Sequence, residues 1–212
     1  MSHEEARDKI LLAMMPHVTF DGWSRSSLAG GVADAGYTPD MALRAFPGGL
    51  REVADHFASY MDHQMLAELT HYKIENMKIR ERIATCVRVR LQLFIRYRDA
   101  VRRLISFLAL PSNAPLAARC AWRTCSEMWY AAGDTSADFN YYTKRGLLTP
   151  VYTTTLLYWL SDDSENFENT WAFLDRRIAD VLKIPMYQSK LKAALSKLPS
   201  PIKFMQAARS RA

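Results

Sequence analysis

Residues 24–50, SRSSLAGGVADAGYTPDMALRAFPGGL, carry the clearest signals for the fold. Three apolar residues in its first half recur at helical spacing: Leu28, Val32 and Ala35. Gly36 can terminate that helix, because glycine readily adopts the left-handed conformation that ends helices. Thr38 then supplies an N-cap and Pro39 a first-turn proline for a short helix that we expect to end near Phe46. The segment therefore predicts two helices joined by a tight turn, followed by a Pro-Gly-Gly turn.

Helix signals also precede this stretch. Ser2 and Glu5 have the spacing of a capping box, which predicts a first helix running to about Met15, ahead of Pro16. We expect residues 17–23 to form a loop. The first fifty residues are thus predicted to form a three-helix unit with the layout of a helix-turn-helix.

The remainder of the chain also shows helical periodicity and no strand signals. Helices are predicted over residues 50–110 in two or three pieces, and over 116–132, 136–160 and 164–182. The predicted fold is an all-α helical bundle. We divide the chain into a helical domain, residues 1–182, and a tail, residues 183–212.

The tail, residues 183–212, is strongly basic: it contains seven Lys or Arg residues and no acidic residue. Its apolar residues fall within a narrow arc of a helix and lysines flank that arc, which is the geometry of a helix lying on a membrane surface. Pro199 and Pro201 interrupt the helix and leave a second short apolar anchor. The competing interpretation is a tail packed on the body or on a partner subunit. The predicted membrane-docking residues are Tyr187, Lys190, Leu191, Lys192, Leu195, Lys197, Leu198, Ile202 and Phe204.

Composition and localisation signals point to a reducing compartment. The amino terminus, MSHEEARDKI, lacks the apolar stretch of a secretory signal, and no apolar run approaches the ~20 residues of a membrane span. The three cysteines include no C-x-x-C pair, which argues against a disulfide framework and a zinc ribbon. We expect a cytoplasmic protein associated peripherally with the inner face of the membrane.

Candidate catalytic and metal sites are weak. His56, His63 and His71 fall on roughly one helical face, and Glu68 with His71 forms a single E-x-x-H pair. A di-iron bundle needs two such pairs and further carboxylates, so we expect hydrogen-bonded or exposed histidines and neither metal nor cofactor. No phosphate-binding glycine loop or nucleophile elbow is present, so the sequence does not indicate an enzyme.

Residues 24–57 resemble the amino-terminal region of TetR-type transcription regulators, including the aromatic-Pro-Gly-Gly-Leu sequence at 46–50. A recognition helix must present side chains that hydrogen-bond base edges, with cations nearby for phosphates. Here it would offer Asp40, Met41, Ala42, Leu43 and Arg44, a set with zero net charge and one good donor. We predict a TetR-like geometry without nucleic-acid binding, and keep a ligand-responsive DNA-binding regulator as the alternative.

Residues 127–178 carry a more specific resemblance. A Trp-Tyr pair precedes G-D-x-S-x-D-F-N, an aromatic pair precedes T-K-R, and V-Y-T-T-T and D-D-S-x-x-F-x-N-T-W-x-F-L follow. Uncommon residues recur at matching intervals over about fifty positions. The block closely resembles the ubiquinone-biosynthesis accessory protein family, the ninth of the coenzyme Q series.

That resemblance implies a TetR-like fold, often a homodimer, that encloses an apolar cavity for isoprenoid or quinone lipids. It implies no chemistry of its own, and a role assisting the demethoxyubiquinone hydroxylase at the membrane. The family's partner-facing stretch matches residues 138–142, with Tyr141 in place of its Trp. Helical spacing puts Arg145 on the face of Asp138 and Tyr141, where charges would flank an aromatic anchor. The predicted partner-binding residues are Asp138, Asn140, Tyr141, Tyr142 and Arg145.

Large apolar and flexible side chains of the body are candidates for lining the lipid cavity. Each of them is also an ordinary core residue by default. The predicted lipid-binding residues are Met65, Leu69, Phe94, Leu108, Met128, Trp129, Tyr152, Leu156 and Trp159.

Overall fold

A computed structural model describes residues 2–135 and 139–181, and within those ranges the chain is helical and contains no β-strand. The helices are α1 (His3–Asp21), α2 (Arg25–Asp34), α3 (Met41–Ala45), α4 (Leu50–Leu69), α5 (Ile79–Leu93), α6 (Arg98–Leu108), α7 (Ala114–Ala131) and α8 (Phe139–Leu160). A further helix, α9, covers residues 168–181. Short 3-10 turns join several of them. The predicted all-α bundle is confirmed.

The local signals at the amino terminus are confirmed. Ser2 Oγ accepts a hydrogen bond from the Glu5 backbone N–H at 3.1 Å, and the Ser2 N–H donates to the Glu5 carboxylate at 2.7 Å. Gly36 follows α2 with a φ of 78°, in the left-handed region. Helix α3 begins slightly later than predicted, since its N-cap is Asp40.

The predicted end of α1 before Pro16 is wrong, because the helix continues to Asp21. Proline removes the hydrogen bond to the carbonyl of Leu12, whose side chain is 38% exposed, so this part of the helix lies near water. Met14 and Val18, on either side of the proline, are fully buried. Burial on both sides of Pro16 therefore outweighs its local effect.

Helices α1 and α2 pack at unusually short range. A Cβ added at Gly31 would lie 2.6 Å from Met14 Cβ, and one added at Gly30 would lie 2.7 Å from the His17 ring. His17 Nε2 also lies 2.7 Å from a carboxylate oxygen of Asp34, joining the two helices at the surface. Glycines at these positions therefore let the two backbones approach.

The body is formed by α4–α8 around an aromatic core. Phe57 stacks on Phe94 with ring centroids 6.0 Å apart, and Phe94 meets Trp159 at 6.3 Å. Trp23 Nε1 donates to the carbonyl of Ala100 at 3.0 Å, which ties the amino-terminal unit to α6. The three-helix unit and the body thus share one continuous core.

Asp162 caps the start of the last described helical segment. Its carboxylate accepts from the backbone N–H groups of Ser164 at 2.9 Å and Thr170 at 2.8 Å, and from the Thr170 hydroxyl at 2.5 Å. Burial raises the pKa of Asp162, but the bonds from Thr170 and Ser164 outweigh it and hold the pKa at about 2. The ionised form is therefore the one that stabilises this junction.

Candidate functional site

An apolar cavity of about 260 Å³ that opens to the surface lies among the helices of the body, and all five of these helices contribute to its wall. Phe57 comes from α4, Phe94 from the C-cap of α5, Leu104 from α6, Ala121 from α7 and Leu156 from α8. Because each helix turns an apolar face toward this point, the cavity is a direct product of the bundle's amphipathic pattern.

One charged side chain lines this cavity. Arg90 on α5 is only 1% exposed. Its Nε donates to Asp62 Oδ1 at 3.1 Å, its Nη2 donates to the carbonyl of Ala58 at 3.1 Å, and the guanidinium lies 4.5 Å from the ring centroid of Phe94. Within the described part of the chain, Arg90 Nη1 is buried and has no hydrogen-bond partner.

Asp62 is the centre of the buried polar network. It is 2% exposed and accepts from the Thr124 hydroxyl at 2.8 Å and from Arg123 Nε at 3.3 Å, besides Arg90. Arg123 Nη1 in turn donates to Asp55 Oδ1 at 2.7 Å. Two arginines thus face two carboxylates: Arg90 and Asp62 are buried, whereas Arg123 and Asp55 are half-buried.

The residues predicted to bind lipid divide into two sets. Phe94, Leu108, Tyr152 and Leu156 line the cavity. The other five lie outside its lining: Met65, Leu69, Met128 and Trp159 are buried in the core, and Trp129 is half-buried. Lipid binding by either set stays a prediction.

Arg90 and Thr124 were missed by the sequence analysis, although Arg90 left a signal. Arg90 lies three residues after Val87 and four before Phe94, which places it on the buried stripe of α5. An arginine in phase with a buried stripe indicates an internal ion pair. Thr124 gave no comparable signal.

The predicted partner-binding stretch is partly exposed. Asn140 is exposed and Tyr142 is 63% exposed, whereas Tyr141 is half-buried. Arg145 does not flank an exposed aromatic anchor as predicted: it is buried, with Nη1 3.0 Å from an Asp134 carboxylate oxygen and its guanidinium 3.5 Å from the Tyr141 ring centroid. The buried Arg145 guanidinium therefore packs against the Tyr141 ring and holds it in position. Partner binding itself stays a prediction, and Asp138 lies outside the described residues.

The predicted membrane-docking residues, all within 187–204, also lie outside the described residues. Within the described ranges, no helix combines the length and the apolar character needed to cross a bilayer.

The histidines are hydrogen-bonded or exposed, as predicted. His56 Nε2 lies 2.8 Å from an Asp8 carboxylate oxygen, and Glu4 approaches its Nδ1 at 3.6 Å. Burial and the neighbouring Arg7 charge lower the pKa of His56 despite these carboxylates. His63 and His71 are both exposed. His56 is therefore a neutral imidazole that is hydrogen-bonded to Asp8 and lies near Glu4.

Helix α3, at the position of a recognition helix, is only five residues long. Its Arg44 lies 3.8 Å from the Asp40 carboxylate, and the neighbouring Leu43 is 74% exposed. A leucine and a neutralised arginine offer little to phosphates or base edges.

The fold is that of TetR-type proteins. A TetR transcriptional regulator from Nitrosomonas europaea ATCC 19718 superposes with a TM-score of 0.67, covering 83% of this chain and 97% of that chain at 22% identity. At this identity the likeness establishes the architecture alone. The chain thus belongs to the class of TetR-like helical bundles.

Within this fold class, the amino-acid sequence is similar to that of one protein family. Residues 114–185 match the COQ9 family model. The mitochondrial ubiquinone biosynthesis protein COQ9 is 31% identical in Rattus norvegicus, 32% in Bos taurus and 30% in Homo sapiens, each over 91% of this chain. The chain spans 64% of the length of the rat protein and 62% of the other two. Over most of its length, the chain is therefore similar to COQ9 proteins.

Proposed function

We propose that this chain is a non-catalytic accessory protein of ubiquinone biosynthesis that holds an isoprenoid or quinone intermediate in the α4–α8 cavity. The observation that carries the proposal is a cavity with an almost entirely apolar wall in a chain similar to ubiquinone biosynthesis proteins. Small-molecule sites are typically apolar cavities with a few placed polar groups, and helical bundles place them between helices.

The size of the cavity indicates which part of such a molecule it holds. At ~30 Å³ for each water-sized group, a volume of about 260 Å³ has room for about nine of them. That is a ring or a short piece of prenyl chain. The wall residues Ala109 and Leu157 are exposed and mark the mouth, through which a longer tail would leave.

The chemistry of the cysteines supports an accessory role. Burial raises the pKa of Cys86 and Cys125 to about 12 each and that of Cys120 to about 11. Thiols of this kind stay protonated at neutral pH and are poor nucleophiles.

Two further contacts belong to the same proposal. The exposed Tyr142 surface would meet the demethoxyubiquinone hydroxylase, in line with the family resemblance, and the protein would act as a homodimer. The basic tail, residues 183–212, would dock on anionic lipid, where each cation contributes about 1 kcal/mol. Seven such cations give reversible binding to the membrane surface.

The test combines native mass spectrometry with organic extraction of the purified full chain. We expect a quinone intermediate or other isoprenoid to co-purify. Ala117 lines the cavity, so Ala117→Phe should fill it and remove the ligand, whereas Ala118→Phe, at an exposed neighbouring position of α7, should not. A ligand-free protein, or equal ligand in both variants, would contradict the proposal.

The alternative, a DNA-binding regulator, predicts sequence-specific duplex binding that falls steeply with salt. The short, neutral α3 argues against it. Binding to a random-sequence duplex pool at rising salt concentrations separates the two functions.

A further inference from the structure

We propose that residues 109–118, which we call the α6–α7 tip, contact the bilayer surface directly and place the mouth of the α4–α8 cavity on anionic lipid. This inference rests on the proposed function in one respect, since a cavity for isoprenoid lipids would fill from a bilayer. It adds the face of the folded body that meets the membrane, a contact separate from the basic tail.

The tip has an unusual composition for an exposed connection. Its sequence, ALPSNAPLAA, contains no charged residue and no aromatic residue. All of its exposed side chains except Ser112 are apolar: Ala109, Leu110, Pro111, Ala114, Pro115 and Ala118. A single exposed leucine is ordinary on a protein surface, but a contiguous exposed apolar patch marks a contact site.

Hydrogen bonds from neighbouring helices hold the tip in place. Arg51 on α4 donates from Nε to Asn113 Oδ1 and from Nη2 to the Ser112 carbonyl, both at 2.8 Å. Asn113 Nδ2 donates to the carbonyl of Phe107 on α6, also at 2.8 Å. Asn113 is buried, so these bonds fix the tip while its apolar side chains stay outside. A surface that is already fixed loses little conformational freedom when it binds.

The tip lies beside the mouth of the cavity. Ala109 belongs to the cavity wall, and the next residue, Leu110, is 51% exposed and lines a separate groove between the tip and α3. Leu157, at the mouth, is 52% exposed. A prenyl chain that leaves this mouth would enter water unless the mouth meets an apolar phase, and exposure of apolar surface to water is unfavourable. Contact between the tip and a bilayer supplies that phase.

The charges around the tip favour an anionic surface. Across the groove from the tip, Leu43 is 74% exposed. Among the described residues that line this groove, the charged ones are Arg25 and Arg51, and none is acidic. Exposed leucines beside cations have the composition of surfaces that lie in the headgroup region of anionic bilayers.

A protein partner fits the tip less well than a bilayer does. Protein interfaces are enriched in aromatic anchors and carry direct hydrogen bonds between the partners. The tip has no aromatic residue, and Asn113 is buried and already bonded. Ser112 is the one hydrogen-bonding side chain that the tip exposes. Insertion into the headgroup region needs no such bonds.

The experiment asks whether the tip of the full chain enters a bilayer. The three native cysteines are buried, so Leu110→Cys can be labelled with a maleimide of the fluorophore NBD. Ile95→Cys is the matched control, because Ile95 is 49% exposed and precedes α6, at the end of that helix away from the tip. When vesicles of phosphatidylcholine and phosphatidylglycerol are added, emission from the label at position 110 should rise and shift to shorter wavelength. Emission from the label at position 95 should stay unchanged.

Charge substitutions measure how much the tip contributes to binding. Leu110→Glu sets a negative charge against anionic lipid and should weaken cosedimentation of the full chain with these vesicles about tenfold. Ile95→Glu should leave the binding unchanged. If Leu110→Glu does not fold by circular dichroism, Leu43→Glu, across the groove, should weaken binding in the same way.

The outcomes separate this inference from the proposed function. A label at position 110 that stays in water on vesicle-bound protein, or equal effects of the changes at positions 110 and 95, would overturn the tip contact and leave docking to the tail. Absence of vesicle binding would overturn both contacts. In each of these cases, lipid that co-purifies with the chain would still support the cavity. A lipid-free chain whose tip enters the bilayer would instead confirm the membrane contact and contradict the proposed ligand.

Discussion

The amino-terminal unit, α1–α3, and the body, α4–α8, use charged side chains in opposite ways. In α3, Arg44 and Asp40 pair at 3.8 Å with side chains 73% and 63% exposed. In the body, Arg90 and Asp62 pair at 3.1 Å with side chains 1% and 2% exposed. In α3, the helix that would read DNA in a regulator, the arginine is paired with an aspartate at the surface. In the body, the charged Arg90 is buried in the wall of the cavity. This contrast agrees with the proposed ligand cavity and not with a DNA-binding role.

The energetics of the two pairs differ for the same reason. An exposed pair contributes about 0–1 kcal/mol, because water screens the charges. Removing one partner of a buried pair costs about 3–5 kcal/mol, because the other charge is left without compensation. Substitutions in the two regions should therefore give very different losses of stability.

The largest loss of stability is expected from substitution of Asp62. Asp62→Ala leaves Arg90 and Arg123 without their shared carboxylate and should lower the free energy of unfolding by about 3–5 kcal/mol. Asp62→Asn is the matched control, because it keeps an acceptor of the same shape and should cost less. Urea denaturation followed by circular dichroism measures both. An Asp62→Ala protein as stable as the parent would show that the network does not hold the body together.

The next effect is expected where α1 meets α2. A methyl group at Gly31 would lie 2.6 Å from Met14 Cβ and 2.7 Å from its Cα, so the two helices must separate. Gly31→Ala should cost about 1–3 kcal/mol. Gly146→Ala in α8 is the control, since no atom lies within 4 Å of its added Cβ and the change should gain up to about 1 kcal/mol. Equal stability of the two variants would contradict close packing of α1 on α2.

A smaller, pH-dependent effect is expected at Asp162. The folded pKa of about 2 lies below the unfolded value, so the ionised cap contributes fully above the unfolded pKa of ~3.9 and is lost as the pH falls through 2. Asp162→Asn should cost about 1 kcal/mol at neutral pH and progressively less toward pH 2. Chemical denaturation across that range tests it, and a difference independent of pH would rule out the carboxylate as the cause.

The smallest effect is expected in α3. Arg44→Ala removes an exposed pair and should change the free energy of unfolding by less than about 0.5 kcal/mol. Association with duplex DNA should also be unchanged, as measured by fluorescence anisotropy at low salt. A salt-dependent affinity that falls with this substitution would instead identify α3 as a DNA contact and contradict the difference described between the two regions.

Local signals were reliable where the backbone alone decides the conformation. Gly36 and Gly49 end α2 and precede α4 with φ values of 78° and 64°, and both turns were predicted. The prediction failed at Pro16, where burial of Met14 and Val18 keeps α1 helical. Propensity is a weak guide once a helix gains a buried face.

At the candidate site, too, some features could be predicted from the sequence and others depended on how the helices pack. An all-helical bundle, a basic tail and the COQ9 resemblance could be predicted from the sequence alone, because spacing, charge and motifs are local properties of the chain. Four of the nine predicted lipid-binding residues line the cavity, and spacing could not separate them from the buried core. Only the folded structure showed that Asp62, from another helix, pairs with Arg90 in the wall of the cavity. The physical reason is that a gap between five helices depends on how they pack, which no single helix encodes.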